Sequence, residues 1–158
     1  MKSKIDELQK NKLFCLSKKI LILLAFFPFI FSCDSGTINY HNPNLPASYL
    51  VNLQLNLSLP QYSNLQFASN HIVDYSQGIR GIVVFNTGNN FLAYDLACPN
   101  ITYLTCTTPM TISGINANCG CDSTTYTLYS GQSTTAGQPY PMKPYRVEVS
   151  GGYLYVTN

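Results

Sequence analysis

The chain has 158 residues, 46% of them hydrophobic and 10% charged, with 12 Tyr, 8 Phe, no Trp and six Cys. Charge this sparse, with apolar residues this abundant yet interspersed with polar ones, excludes a disordered chain, a collagen-like repeat and a polytopic membrane protein. The formal charge of +2 belongs to one end, because six of the nine Lys and Arg (Lys2, Lys4, Lys10, Lys12, Lys18 and Lys19) precede residue 20.

Taken in chain order, that basic stretch leads into Ile20 to Phe31, twelve consecutive apolar residues when Pro28 is counted with them. A bilayer core takes roughly 20 helical residues to cross, so this run is too short to span. A basic segment, a short apolar segment and a small residue before a cut form the pattern of a secretory signal. The order Ile30-Phe31-Ser32-Cys33 resembles a bacterial lipobox, so residues 1–32 are expected to be a helical signal peptide and Cys33 the lipidated first residue of the mature chain. Anchoring through several acyl chains is stable, at about 0.8 kcal/mol per buried methylene. The expected location is the bacterial cell envelope, with the domain on the periplasmic side.

From Cys33 onward Arg80, Lys143 and Arg146 face Asp34, Asp74, Asp95, Asp122 and Glu148, a net charge of −2. Phosphate binding needs clustered Lys or Arg, so no nucleic-acid partner is expected. Residues 34–48 are rich in Ser, Asn, Pro and Gly without periodicity, which suits a tether, so 33–48 is assigned as a lipidated tether.

Val51, Leu53, Leu55, Leu57 and Leu59 then alternate with polar residues up to Pro60, the signature of a strand with one buried face. Gly81 to Phe85 and Phe91 to Leu96 flank a polar connection of hairpin type, Asn86-Thr-Gly-Asn-Asn. Tyr145, Val147 and Val149 alternate with Arg146 and Glu148 before Ser150-Gly-Gly turns the chain into Tyr153 to Val156, a second hairpin. No helical period and no internal repeat follows residue 33. The expectation for 49–158 is an all-β domain, a small antiparallel sandwich or barrel with tyrosines in its core and rim.

Catalytic signatures are missing. There is no Gly-x-Ser-x-Gly elbow, no phosphate-binding loop and no dinucleotide fingerprint, so no enzymatic activity is expected. Asp74 and Asp95 could be offered as a carboxylate pair, but Asp95 reads as a turn or sheet-edge acid just before a cysteine loop.

With Cys15 in the signal and Cys33 lipidated, Cys98, Cys106, Cys119 and Cys121 remain. An even number of cysteines in an exported domain favours disulfides. Cys119 and Cys121 are too close in sequence to pair without strain, so the pairing is expected to run between the two loops.

The residues around these cysteines resemble the Rieske iron–sulfur family. Ala93-Tyr-Asp-Leu-Ala-Cys98-Pro99-Asn100 and Cys119-Gly-Cys121-Asp122-Ser-Thr124-Thr-Tyr126 look like that family's two cluster-binding loops. Gly137-Gln-Pro139 is similar to its proline-containing third loop, and Pro141-Met-Lys143-Pro-Tyr145-Arg-Val147 to the strand entry that follows. The resemblance runs in order through residues 49–158 and implies a Rieske-like β-domain.

In that family two cysteines bind one iron of a 2Fe–2S cluster and two histidines the other. The resemblance places Cys98 and Cys119 at the cysteine positions and Asn100 and Asp122 at the histidine positions. A neutral amide and one carboxylate do not reproduce two imidazoles, so the iron site is broken at its second metal. His41 falls in the tether and His71 before the Gly81 strand, and neither is placed to replace the missing ligands. Thr124 and Tyr126 stand where the family hydrogen-bonds the cluster sulfurs. The family's inter-loop disulfide implies Cys106–Cys121, which leaves Cys98–Cys119 as a second pair.

The reading that follows is an envelope lipoprotein with a Rieske-like domain that has lost its cluster and serves as a binding or structural module. Its competitors are an electron-transfer protein that retains a 2Fe–2S cluster with atypical ligands, a zinc module using Cys98, Cys106, Cys119 and Cys121, and a thiol–disulfide exchange protein. The last lacks the Cys-x-x-Cys at a helix start that lowers a thiol pKa.

Overall fold

A computed structural model describes residues 40–46 and 49–158. The expected signal segment 1–32, the lipidation site Cys33 and most of the expected tether lie outside the described residues. Among the described residues, no helix is long and apolar enough to cross a membrane.

Among the described residues there are nine antiparallel strands: β1 (Asn52–Asn56), β2 (His71–Asp74), β3 (Ile82–Asn86), β4 (Phe91–Asp95), β5 (Thr111–Ser113), β6 (Asn116–Asn118), β7 (Thr125–Thr127), β8 (Pro144–Ser150) and β9 (Tyr153–Thr157). They form a six-stranded sheet in the order β1-β9-β8-β4-β3-β2 and a three-stranded sheet in the order β5-β6-β7. The fold is all-β, as the alternation predicts.

The first strand is shorter than its sequence pattern. Val51, Leu53 and Leu55 are buried, but the chain turns after Asn56, and Leu59 is exposed where Pro60 opens a 3-10 helix over Pro60–Gln66. Proline is tolerated there because the first helical N–H has no acceptor inside the helix. Both expected hairpins are present. In β3–β4, Asn86 pairs with Phe91 across a polar loop. In β8–β9, Ser150 pairs with Tyr153, and Gly151 and Gly152 take φ values of +60° and +82°, the conformation a two-residue hairpin turn of this hand requires.

Strand β8 is shared between two parts of the large sheet. Pro144 and Tyr145 pair with β4, whereas Arg146 to Ser150 pair with β9. The sheet curls far enough that its edges approach each other: beyond β2, the Gln77 amide accepts from the Asn52 backbone N–H (2.8 Å) and donates to the Asn52 carbonyl (2.9 Å) on the β1 edge. A side-chain amide thus stands in for a neighbouring strand at one position of an otherwise open edge.

The curled face encloses one core, made by Leu53, Leu55, Leu65, Ile82, Val84, Ala93, Tyr145, Leu154 and Val156 with Val51. The opposite face of β3 and β4 carries Val83, Phe85, Tyr94 and Leu96 into a second core with Met110, Ala117, Tyr126, Leu128 and Met142. Both faces of β3 are therefore covered, which is why its sequence, Ile-Val-Val-Phe, is continuously apolar instead of alternating. The second core fixes the three-stranded sheet, and with it the cysteine loops, to the large sheet.

Residues 40–46, which the sequence assigns to the tether, are packed rather than free. Leu45 is buried against Ile79 and Ala97, with Tyr40 and Tyr103 alongside. The Tyr40 hydroxyl donates to the Pro141 carbonyl (2.8 Å), and the Asn42 and Asn44 amides both donate to the Pro99 carbonyl (2.8 and 3.0 Å). Asparagine and tyrosine side chains supply most of these contacts, beside one backbone bond from the Tyr103 N–H to the Asn44 carbonyl (3.0 Å).

Candidate functional site: two cysteine loops joined by a disulfide pair

The first cysteine loop leaves β4 at Leu96 and returns to β5 through Met110, whose N–H donates to the Leu96 carbonyl (2.7 Å) and closes the loop at its base. Its middle is held from the side by Arg80, whose guanidinium donates to the carbonyls of Tyr103 (2.7 Å) and Ile79 (3.2 Å). The second loop lies between β6 and β7. There Cys119 donates its N–H to the Thr124 carbonyl and accepts the Ser123 N–H at its own carbonyl.

Across these loops Cys98 is bonded to Cys119 (S–S 2.05 Å, Cα–Cα 5.6 Å) and Cys106 to Cys121 (S–S 1.99 Å, Cα–Cα 6.0 Å). These are the two pairs the family resemblance implies. Cys98, Cys106 and Cys119 are buried and Cys121 is exposed. All four sulfurs lie within 4.8 Å of one another.

Asn100 and Asp122, which the resemblance sets at the family's histidine positions, have structural tasks. The Asn100 amide donates to the Tyr126 hydroxyl (2.8 Å) and the Tyr140 carbonyl (2.9 Å), and its oxygen accepts the Tyr140 N–H (3.1 Å). Asn100 thereby ties the first loop to β7 and to the third, proline-containing loop. Asp122 is exposed and accepts the Thr124 N–H (2.9 Å), forming a local turn at the tip of the second loop. Tyr126 is fully buried, and burial pushes its phenol above the ordinary value against the lowering effect of the Asn100 bond. Thr124 is buried as well. The residues that the resemblance sets at the ligand positions do not fit a Rieske 2Fe–2S cluster: Cys98 is covalently joined to Cys119, the Asn100 amide is engaged on three atoms, and the Asp122 carboxylate faces solvent.

The group that sequence reading placed least well is Asp95. It is no sheet-edge acid. Its side chain is fully buried and accepts four hydrogen bonds, from the N–H groups of Ile79 (2.6 Å), Arg80 (3.2 Å) and Ala97 (2.7 Å) and from the Tyr145 hydroxyl (2.7 Å). Burial raises its pKa, and the four donors oppose that rise. Lys143, also buried, donates to the Pro46 carbonyl (3.2 Å), and burial lowers its pKa against the attraction of Asp95. Asp95 and Asp74 are engaged on different partners. Asp74 instead accepts the Ser76 N–H in an exposed turn. The one signal for Asp95 was its place, a lone charge at the end of an apolar run leading into a cysteine loop.

Fold and site together define an all-β domain whose two adjacent loops are stapled by a disulfide pair. No family model matches the chain, and no curated protein matches it. Among solved structures, it is similar to a chain of the complex of reduced oxygenase and oxidized ferredoxin in carbazole 1,9a-dioxygenase, at 18% identity over 57% of this chain and 82% of that one, with a TM-score of 0.39. It is also similar to the ferredoxin of carbazole 1,9a-dioxygenase from Nocardioides aromaticivorans IC177 (16%, 69% and 97%, TM-score 0.41) and to a Sphingomonas yanoikuyae B1 ferredoxin (12%, 58% and 88%, TM-score 0.40).

Proposed function

We propose that the chain is an envelope lipoprotein, anchored through Cys33, whose Rieske-like β-domain has given up its iron–sulfur cluster and works as a binding or structural module rather than as an enzyme. The observation that carries this reading is the use made of the former ligand positions: Cys98 is joined to Cys119, and Asn100 is committed to Tyr126 and Tyr140. A loop pair that once wrapped a cluster is held together in this reading by covalent staples and an amide clamp. The disulfides accord with an oxidising envelope. Its partners are the membrane, through the acylated Cys33, and a further envelope component, with no role for nucleic acid.

The test is to purify the full chain anaerobically from membranes. Colourless protein without stoichiometric iron, with Cys98, Cys106, Cys119 and Cys121 all oxidised, is the expected result. Visible absorbance accompanied by two iron atoms per chain overturns it in favour of an electron-transfer protein. The anchor is tested separately, since Cys33→Ser should move the chain from the membrane to the soluble fraction.

A further inference from the structure

We propose that the disulfide pair is the oxidised state of a metal site: when a dithiol reduces both bonds, Cys98, Cys106, Cys119 and Cys121 together hold one Zn2+ ion. This goes beyond the loss of the iron–sulfur cluster. It uses the two former cluster-ligand positions together with Cys106 and Cys121, which the family resemblance treats as a structural bridge, and it needs neither Asn100 nor Asp122.

The geometry is close to what such a site requires. Zinc sits about 2.3 Å from each thiolate in a tetrahedron, which puts the sulfurs about 3.8 Å apart. The four sulfurs already lie within 4.8 Å of one another. Reduction lets the bonded pairs separate, and the unbonded pairs need to close by no more than about 1 Å. Four soft sulfur donors in a tetrahedron select zinc over oxygen-seeking cations. Donors for the thiolates are also in place: the Cys121 N–H points at the Cys119 sulfur (3.4 Å), and the Thr108 hydroxyl lies 3.7 Å from the Cys121 sulfur. Outer-shell hydrogen bonds of this kind orient ligands and stabilise their charged form. Cys121, the exposed member, gives the reductant a way in.

The chemistry balances. Each disulfide takes up two electrons and two protons from one dithiol, which leaves as its own disulfide, so two dithiols yield four cysteine thiols. Binding of Zn2+ then forms four Zn–S bonds and releases four protons.

The experiment uses the full chain carrying Cys15→Ser and Cys33→Ser, so that only the four loop cysteines can bind. The protein is reduced with a dithiol, desalted anaerobically and titrated with Co2+ as a spectroscopic probe. The expected result is one Co2+ per chain with sulfur-to-cobalt charge transfer and the d–d bands of a tetrahedral site, displaced by Zn2+, while the oxidised protein binds neither ion. Cys106→Ser and Cys121→Ser should each weaken binding by more than the roughly 10- to 100-fold that loss of an outer-shell partner costs. A reduced chain with four free thiols that binds no cobalt overturns the proposal. So does cobalt binding that survives both serine variants unchanged. In parallel, the reduced protein is given ferrous iron and sulfide; assembly of a stable cluster would sink the reading of a lost cluster, whatever the cobalt result.

Discussion

The Tyr145 hydroxyl donates to the buried Asp95 carboxylate at 2.7 Å, joining the start of β8 to the end of β4 at the root of the first cysteine loop. With the N–H groups of Ile79, Arg80 and Ala97 also directed at this carboxylate, one side chain organises the turn before β3 and the exit of β4. Tyr145→Phe removes one donor to an anionic acceptor and should cost about 1.5–3 kcal/mol in denaturant unfolding. Asp95→Ala leaves three backbone N–H groups, two of them buried, without an acceptor and should cost more than Tyr145→Phe. The pH dependence has a definite sign. Because burial raises the Asp95 pKa, the folded chain keeps its proton where the unfolded chain has lost it. Stability attributable to this group therefore falls as pH rises from about 4, the unfolded carboxyl value, through the folded value. Comparing unfolding of the parent and Asp95→Asn across that range should show the parent losing stability relative to the variant with rising pH.

The two staples close loops of 21 and 15 residues. Chain-entropy arguments give about 3 kcal/mol for loops of this length. Replacing Cys106 and Cys121 together by Ala should lower unfolding stability by about 2–4 kcal/mol. Reduction should be ordered, since Cys121 is exposed and both members of Cys98–Cys119 are buried. Timed alkylation with peptide mass mapping should label Cys106 and Cys121 before Cys98 and Cys119. Simultaneous labelling of all four would show that burial does not protect the inner pair.

Asn100 and Asp122 should respond differently to truncation. Asn100 bonds to Tyr126 and Tyr140, tying the first loop to the third by a side chain making three bonds. Asn100→Ala leaves the Tyr140 N–H and the buried Tyr126 hydroxyl without their partner and should cost about 1–3 kcal/mol. Asp122 is exposed and makes a local bond to Thr124, so Asp122→Ala should stay within about 1 kcal/mol of the parent. Equal losses at both positions in urea unfolding would refute the distinction.

These contrasts bear on what the sequence could disclose. The hairpins were legible because Gly151-Gly152 and the polar run after Phe85 interrupt β-rich segments, and turn chemistry is local. The all-β class followed from the same periodicity. The three-stranded sheet was not legible: Thr111–Ser113, Asn116–Asn118 and Thr125–Thr127 are three residues each, and their pattern is too short to stand out from loop composition. Strand β2 was hidden for a similar reason, since all four of its residues are half-buried and neither face is marked. The packed segment 40–46 reads as tether in the sequence because most of its hydrogen bonds run through asparagine and tyrosine side chains to partners more than 50 residues away. Asp95 needed three dimensions altogether, as its donors come from residues 79, 80, 97 and 145.

Gly131 offers a sharper packing test. It sits at φ +69°, and a Cβ there would lie 2.7 Å from Cε1 of Tyr94, a ring held in the core beneath the second sheet. Gly131→Ala meets both the left-handed backbone penalty and a clash with a buried ring. A loss of about 2–4 kcal/mol is expected from those two effects together. Tyr94→Leu in the same background should recover part of it by withdrawing the ring, a coupling that a double-mutant cycle would measure.

The tyrosines set the alkaline limit of the domain. Burial pushes Tyr40 and Tyr94 up to about 12, and Tyr145 is raised further by burial and by the neighbouring Asp95 charge. An unfolded tyrosine ionises near 10, so between about 10 and 12 the unfolded chain has released protons that the folded chain still holds. More protons bound in the folded state means that stability falls as pH rises through this window, and the full contribution is present only below about 10. Phenolate absorbance in the native protein should therefore show a group of tyrosines that resists titration until about 12 or until the domain unfolds. Tyr94→Phe should leave stability at neutral pH nearly unchanged and reduce the alkaline loss. If the variant and the parent lose stability in parallel above pH 10, Tyr94 does not carry the effect assigned to it.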